Sequence, residues 1–189
     1  MYLIAGLGNP GKEYENTRHN VGFKVLDALA SDTGIEIKKA RFEGLIGTGK
    51  INGEKVILLK PQTFMNLSGS SVRKTAMYYD IPKEHVIVIY DDIDIPFRSI
   101  RIRKSGGPGT HNGMKSVCKE LGITDFPRIR IGIGNNSDND LIDYVMGKMS
   151  KDEIKLLDET AKEAAEAVKD IIKLEIDNAM TKHNITYDK

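Results

Sequence analysis

Polar residues able to do hydrolytic chemistry gather at four places in the sequence: Asn9, Tyr14 and His19; Phe64, Met65 and Asn66; Asp91; and His111 and Asn112. Each group stands at an expected strand end or in a loop. Ester hydrolysis at neutral pH needs a base to activate water, a carboxylate to fix that base's tautomer, and neutral donors to hold the carbonyl oxygen. A histidine, an aspartate and several asparagines supply such a set without a metal. The same residues also have plainer uses, His19 as the first turn of a helix and Asn9, Asn66 and Asn112 as turn or cap residues. Residue type and position alone leave both uses open.

Other motifs fail on context. Gly6-Leu-Gly8-Asn-Pro-Gly11 has the letters of a dinucleotide fingerprint, but a pyrophosphate site needs the glycines to open directly into a helix. Pro10 and the polar stretch from Lys12 to His19 delay the helix to about Asn20. Gly44 to Lys50 nearly spells a phosphate-binding loop, yet Ile51 stands where a hydroxyl must hold magnesium. Around Asn66-Leu-Ser68-Gly-Ser70 the first glycine of a nucleophile elbow is missing. Asp91, Asp92 and Asp94 lack any supporting ligand spacing, so Asp92 and Asp94 read as a solvated strand end. Asp91 differs, because ligand crevices form at the C-terminal ends of buried strands in an α/β sheet.

The elements that must carry these residues follow from periodicity. Tyr2 to Gly6 and His85 to Tyr90 are apolar runs of buried strands. Asn20 to Thr33 has helical spacing, with Gly34 at the C-cap position. Phe42 to Ile51 and Lys55 to Lys60 flank Asn52-Gly53, a hairpin turn signal. Ser68 to Tyr79 reads as a helix. Ser99 to Arg103 reads as a strand, and a glycine-rich loop, Gly106 to Gly113, leads into a helix ending near Gly122. Arg128 to Ile133 alternates as a strand presenting Arg128 and Arg130 together, as Arg101 and Arg103 share a face of theirs. Ser150 and Glu153 form a capping-box pattern before a helix running through Ile171. Helices interspersed with strands predict a single α/β domain, a twisted mixed sheet flanked by helices.

Composition narrows the class. A chain of 189 residues with 40% hydrophobic and 29% charged residues can bury the core of one domain. No stretch approaches the roughly 20 apolar residues of a membrane span, and the start lacks a secretory pattern, so a cytoplasmic protein is expected. The one cysteine, Cys118, excludes an internal disulfide framework. The net charge of +1 hides an uneven distribution: Pro96 to Ile131 carries eight basic and two acidic residues, a net +6, while the part from Ser137 onward is net −5. A basic third suits one polyanion-facing side.

The strings GLGNPGKEYENTRHNVGF (Gly6 to Phe23), KPQTFMNLSG (Lys60 to Gly69), YDDIDIP (Tyr90 to Pro96), GGPGTHNGMKS (Gly106 to Ser116) and RIRIGIG (Arg128 to Gly134) together resemble the bacterial peptidyl-tRNA hydrolase family. They occur in the family's order and cover essentially the whole chain. The resemblance implies one domain over residues 1–189, monomeric and free of metal or other cofactor, that cuts the ester joining a peptide to the 3′ end of a tRNA. It implies that His19 is the catalytic base and that Asp91 orients it. Asn9 would distinguish a blocked amine from a free one. Tyr14, Phe64, Asn66 and Asn112 would hold the tRNA 3′ end and the peptide, with Met65 and His111 lining the same groove and the two asparagines steadying the oxyanion. Arg103 and Arg130 would clamp tRNA phosphates. Pro108 and Thr110 depart from the family's usual glycine loop. Two rival readings are an RNA-binding relative without hydrolysis, which the complete polar set opposes, and a nicotinamide-dependent oxidoreductase, which the delayed helix opposes.

Overall fold

The computed structural model of the chain describes residues 1–135 and 141–187. Strands β1 (Tyr2–Gly6), β2 (Lys39–Arg41), β3 (Gly44–Ile51), β4 (Glu54–Pro61), β5 (Val86–Asp92), β6 (Ile100–Arg103) and β7 (Arg128–Gly132) form one mixed sheet in the order β2-β3-β4-β1-β5-β7-β6. The central strands β4, β1, β5 and β7 run parallel, and β2, β3 and β6 pair antiparallel at the two flanks. Helices α1 (Val21–Thr33), α2 (Ser68–Tyr78), α3 (Asn112–Leu121), α4 (Leu141–Met146), α5 (Lys151–Leu174) and α6 (Ile176–His183) accompany the sheet, with short 3-10 turns between elements.

The two-residue period of the strands divides the core. Ile4, Ile87 and Ile89 pack with Leu26 and Leu29 of α1 and Leu157 and Val168 of α5. Leu3, Ala5, Val86 and Val88 face Val72 of α2 and Met114 and Val117 of α3. Strand β5 is apolar on both faces because helices cover both, which is why its sequence is a continuous run rather than an alternation. Local signals set the boundaries. Asn52 and Gly53 take φ of 51° and 84°, the pair of left-handed residues a two-residue hairpin requires. The capping box is complete, with Glu153 N donating to Ser150 Oγ at 3.2 Å and Ser150 N to Glu153 Oε2 at 2.8 Å.

Three elements lie outside what periodicity predicts: the short strand β2, helix α4, and α6, which is set off from α5 by Glu175 at φ 69°. Beyond α6 the backbone follows the outer edge of β6. Ile100 N donates to Ile185 O at 3.0 Å, Ile102 N to Asn184 Oδ1 at 2.6 Å, and Tyr187 N to Ser99 Oγ at 2.9 Å.

The parallel strands β1, β4 and β5 point their C-terminal ends the same way, so the segments after them meet at one rim of the sheet. Helix α1 is pressed onto that rim through Gly22. A Cβ there would lie 2.4 Å from Leu7 O and 2.6 Å from Ile89 O. Gly22→Ala must therefore lift α1 or shift the strand ends, and overpacking of this kind costs about 1–3 kcal/mol. Urea unfolding should give a lower midpoint at an unchanged m value. A wild-type midpoint would mean that the helix and strands part without cost.

Candidate active site

A 3-10 turn, Arg18–Asn20, carries the chain into α1 and sets His19 over the end of β5. The Nδ1 of His19 lies 2.9 Å from each Asp91 oxygen. His111, the N-cap residue of α3, brings its Nε2 to 2.9 Å from Asp91 Oδ1. Asp91 is only 2% exposed, and a carboxylate so buried is tolerable because two imidazole donors satisfy it. Burial by itself would raise its pKa, but the electrostatic pull and hydrogen bonds of the His19 and His111 rings hold it well below the usual carboxylate range. For His19, burial favours the neutral ring, while Asp91's charge and hydrogen bond outweigh that and raise the pKa above 6.5. An ionised Asp91 only accepts, so His19 donates through Nδ1 and its Nε2 is left with a lone pair when the ring is neutral.

Arg18 anchors the turn from outside. Its guanidinium lies over the Tyr144 ring at 4.2 Å, donates to Tyr144 O at 3.0 Å, and pairs with Glu153. The capping glutamate of α5 thereby also steadies the residue next to His19.

His19, Asp91 and His111 offer ligand atoms within 4.8 Å of one another, a spacing that suits a metal ion. Their protons oppose it. Met114 N donates to His111 Nδ1 at 3.1 Å, so the lone pair of His111 is spent there and its Nε2 bears hydrogen toward Asp91. A metal at Nε2 would force a proton onto Nδ1 against the Met114 N–H. The donor set fits a hydrogen-bonded relay better than an ion.

Asn9 is built in from three sides. Its backbone N donates to Asn20 Oδ1 at 2.8 Å, and Asn20 Nδ2 donates back to Asn9 O at 2.9 Å. Its own Oδ1 accepts from Met65 N at 2.8 Å, which fixes the amide orientation and leaves Nδ2 with only Met146 Sδ, at 3.6 Å, among the described residues. Met65 in turn abuts α3, since a Cβ on Gly113 would lie 2.6 Å from Met65 Sδ and 2.9 Å from His111 Cε1. Asn9, Met65, His111, Asp91 and His19 thus form one contiguous patch. Asn66 and Asn112 are exposed beside it, one in the 3-10 turn Met65–Leu67 and the other opening α3, and neither amide bonds to a described residue. Phe64 is 58% exposed next to Met65. Tyr14 ends a separate 3-10 turn, Lys12–Tyr14, half-buried, with its carbonyl taking Thr17.

A cavity of about 340 Å³ opens from His19, Asp91 and His111 toward Arg103 and Arg130 under the loop from Ser105 to Thr110. Neither Asn9 nor Tyr14 nor the Phe64-Met65-Asn66 segment lines it. The four arginines do share one face, with Arg101 opposite Arg130 and Arg103 opposite Arg128. They are not equivalent. The expectation that Arg128 and Arg130 project together fails, because Arg128 is 1% exposed and its guanidinium is spent on the carbonyls of Gly106, Gly107, Thr124 and Phe126. It ties the glycine loop to β7. Arg130 is partly exposed and held by Asp92 at 2.6 Å, Arg101 donates to Thr186, and Arg103 is exposed without an ion pair among the described residues.

Sequence reasoning missed Asn20 and Arg128. Asn20 stands at the N-cap of α1, where asparagine is ordinary, but its side chain makes no cap and serves Asn9 instead. Arg128 looked like one of a surface pair.

Comparison with known proteins identifies the family. The family model described as peptidyl-tRNA hydrolase matches residues 3–189. A peptidyl-tRNA hydrolase of Caldanaerobacter subterraneus subsp. tengcongensis is 55% identical over 184 residues, covering 97% of this chain and 100% of that one. The crystal structure of peptidyl-tRNA hydrolase from Acinetobacter baumannii superimposes with a TM-score of 0.91 at 37% identity, over 98% of this chain and 95% of the other. A nucleosidase from Helicobacter pylori, 9% identical with a TM-score of 0.55, shares the fold alone. With a family match along almost its entire length and a full-length relative identical at more than half of the aligned positions, the chain belongs to the peptidyl-tRNA hydrolase family.

Proposed function

We propose that the chain hydrolyses the ester between a peptide and the 3′-terminal ribose of tRNA, acting as a cytoplasmic monomer without a metal. One observation carries the reading: His19 commits Nδ1 to a buried carboxylate and keeps Nε2 for the substrate side. Family membership supports the substrate. Neutral His19 takes a proton from water through Nε2 as the water oxygen attacks the ester carbonyl. Asp91 stabilises the imidazolium so formed. The exposed amides of Asn66 and Asn112 hold the carbonyl oxygen as it becomes an oxyanion, a contribution of about 3–4 kcal/mol for a single donor. Collapse expels the ribose oxygen, which recovers the proton from His19. The products are a free peptide acid and free tRNA.

Release of tRNA from peptidyl-tRNA tests this, and His19→Ala should lose it almost entirely while tRNA affinity is kept. In the wild type, kcat/KM should rise with pH. The ring is protonated and inactive below its pKa and neutral and active above it, so the midpoint should lie above 6.5 because Asp91 raises it. A midpoint below 6.5, or turnover surviving in His19→Ala, would rule out this base.

Asn9 supports discrimination by charge and donor pattern. Its Oδ1 is occupied by Met65, so it turns amide hydrogens toward the substrate. A peptide carbonyl accepts from them, whereas the ammonium of an unblocked aminoacyl-tRNA has only donors of its own. Asn9→Asp keeps the bond to Met65 N and replaces the hydrogens by oxygen. The preference for peptidyl-tRNA over aminoacyl-tRNA should fall by about tenfold, the worth of one hydrogen bond. An unchanged ratio would remove Asn9 from the discrimination.

Arg103 and Arg130, at the far side of the cavity, suit phosphates, which position a substrate without reading its sequence. Arg103 has its charge free among the described residues, while Arg130 shares its own with Asp92. Arg103→Ala should make the slope of log affinity against log salt shallower by about one unit, and Arg130→Ala by less. Equal slopes for wild type and both variants would demote the basic third to a solvated face.

A further inference from the structure

We infer that His111 is a positioning residue: the first turn of α3 locks its ring with Nε2–H aimed at Asp91, and it thereby sets how much of Asp91's charge reaches His19. The inference rests on the proposed role of His19 as base. The lock is geometric. Met114 N points at His111 Nδ1 from 3.1 Å, so a proton on that nitrogen would set N–H against N–H and abolish the helix cap. The ring is pinned as well, with the Tyr90 and His19 rings each 5.0 Å away and Gly113 leaving no room beside Cε1. Its remaining hydrogen points at Asp91 Oδ1.

Two consequences follow for the chemistry. Asp91 faces two imidazoles, but both nitrogens of His111 are engaged, and only His19 Nε2 is left without a partner among the described residues to take a proton from water. The constant donor also withdraws part of the carboxylate's negative charge, which limits how strongly His19 is driven toward its protonated, inactive form. Other charges around His19 are already engaged. From β5 and β7, Asp92 is paired with Arg130; beside His19, Arg18 is paired with Glu153 of α5; on α1, Lys24 is paired with Asp158. Asp143 of α4 and Asp94 after β5 remain as exposed carboxylates. None of these groups differs between the variants below.

Two substitutions separate the two nitrogens of the ring. His111→Asn can offer Met114 an oxygen where Nδ1 was but is too short to reach Asp91. His111→Gln can offer Asp91 an N–H where Nε2 was but no longer caps α3. Imidazole NMR titration reads His19 directly, without substrate, and kcat/KM against pH reads it in turnover. The expected result is an upward shift of His19's pKa and of the acid limb by about one pH unit in His111→Asn. In His111→Gln both should stay near their wild-type positions while thermal stability drops. In the wild type, NMR should detect the hydrogen bond from the Met114 amide to His111 Nδ1. Absence of that hydrogen bond overturns the lock, and an unmoved His19 pKa in folded His111→Asn overturns the coupling. Should the asparagine variant fail to fold, the wild-type hydrogen bond and the glutamine variant still decide. Absence of tRNA release by the wild-type chain would instead defeat the proposed reaction and leave the NMR result standing.

Discussion

The architecture turns on one buried negative charge. Asp91 sits at the end of the central strand β5, almost wholly removed from water, and an unpaired carboxylate there would be untenable. Its two partners come from opposite helix layers, His19 from the turn before α1 and His111 from the cap of α3. The pairing is therefore a structural requirement whatever its part in the proposed reaction: the same hydrogen bonds that make the charge tolerable aim the imidazole outward.

Precision at that point depends on contacts made elsewhere. Gly22 lets α1 touch the strand ends, and Gly113 lets α3 close on Met65. Asn20 clasps the backbone of Asn9, while Arg18 fastens the His19 turn to α4 and α5. Arg128 plays the corresponding part on the other side, holding the glycine loop by its carbonyls without an acid partner among the described residues. Positively charged and buried, it makes the loop's backbone rather than a carboxylate its counter-dipole.

Much of this was legible in the sequence, for identifiable reasons. Apolar period, the Asn52-Gly53 turn, Gly34 and the Ser150-Glu153 box are local signals, and the strands and helices they mark are present. The gathering of Asn9, His19, Met65, Asp91 and His111 was expected from strand ends and family motifs together; residue type and position alone left hydrolytic and plainer structural uses both open. What could not be read is how each polar group spends its hydrogen bonds. Asn20 has the composition of a cap and the job of a clasp, and Arg128 has the alternation of a surface residue and the burial of a core one. Helices α4 and α6 and strand β2 are short, so periodicity had too few turns or residues to register.

The segment Asn184–Tyr187 along β6 bears on how the chain comes off the ribosome. Strand β6 is complete in sequence long before its outer edge is covered, since the partner of Ile102 lies 82 positions later. An uncovered edge is a template for pairing with other chains. During vectorial synthesis the side of the sheet that bears Arg103 is thus the last to be sealed, and until then its exposed amides must be kept from other nascent strands. The arginines of β6 supply part of that protection themselves, because like charges discourage two such edges from meeting.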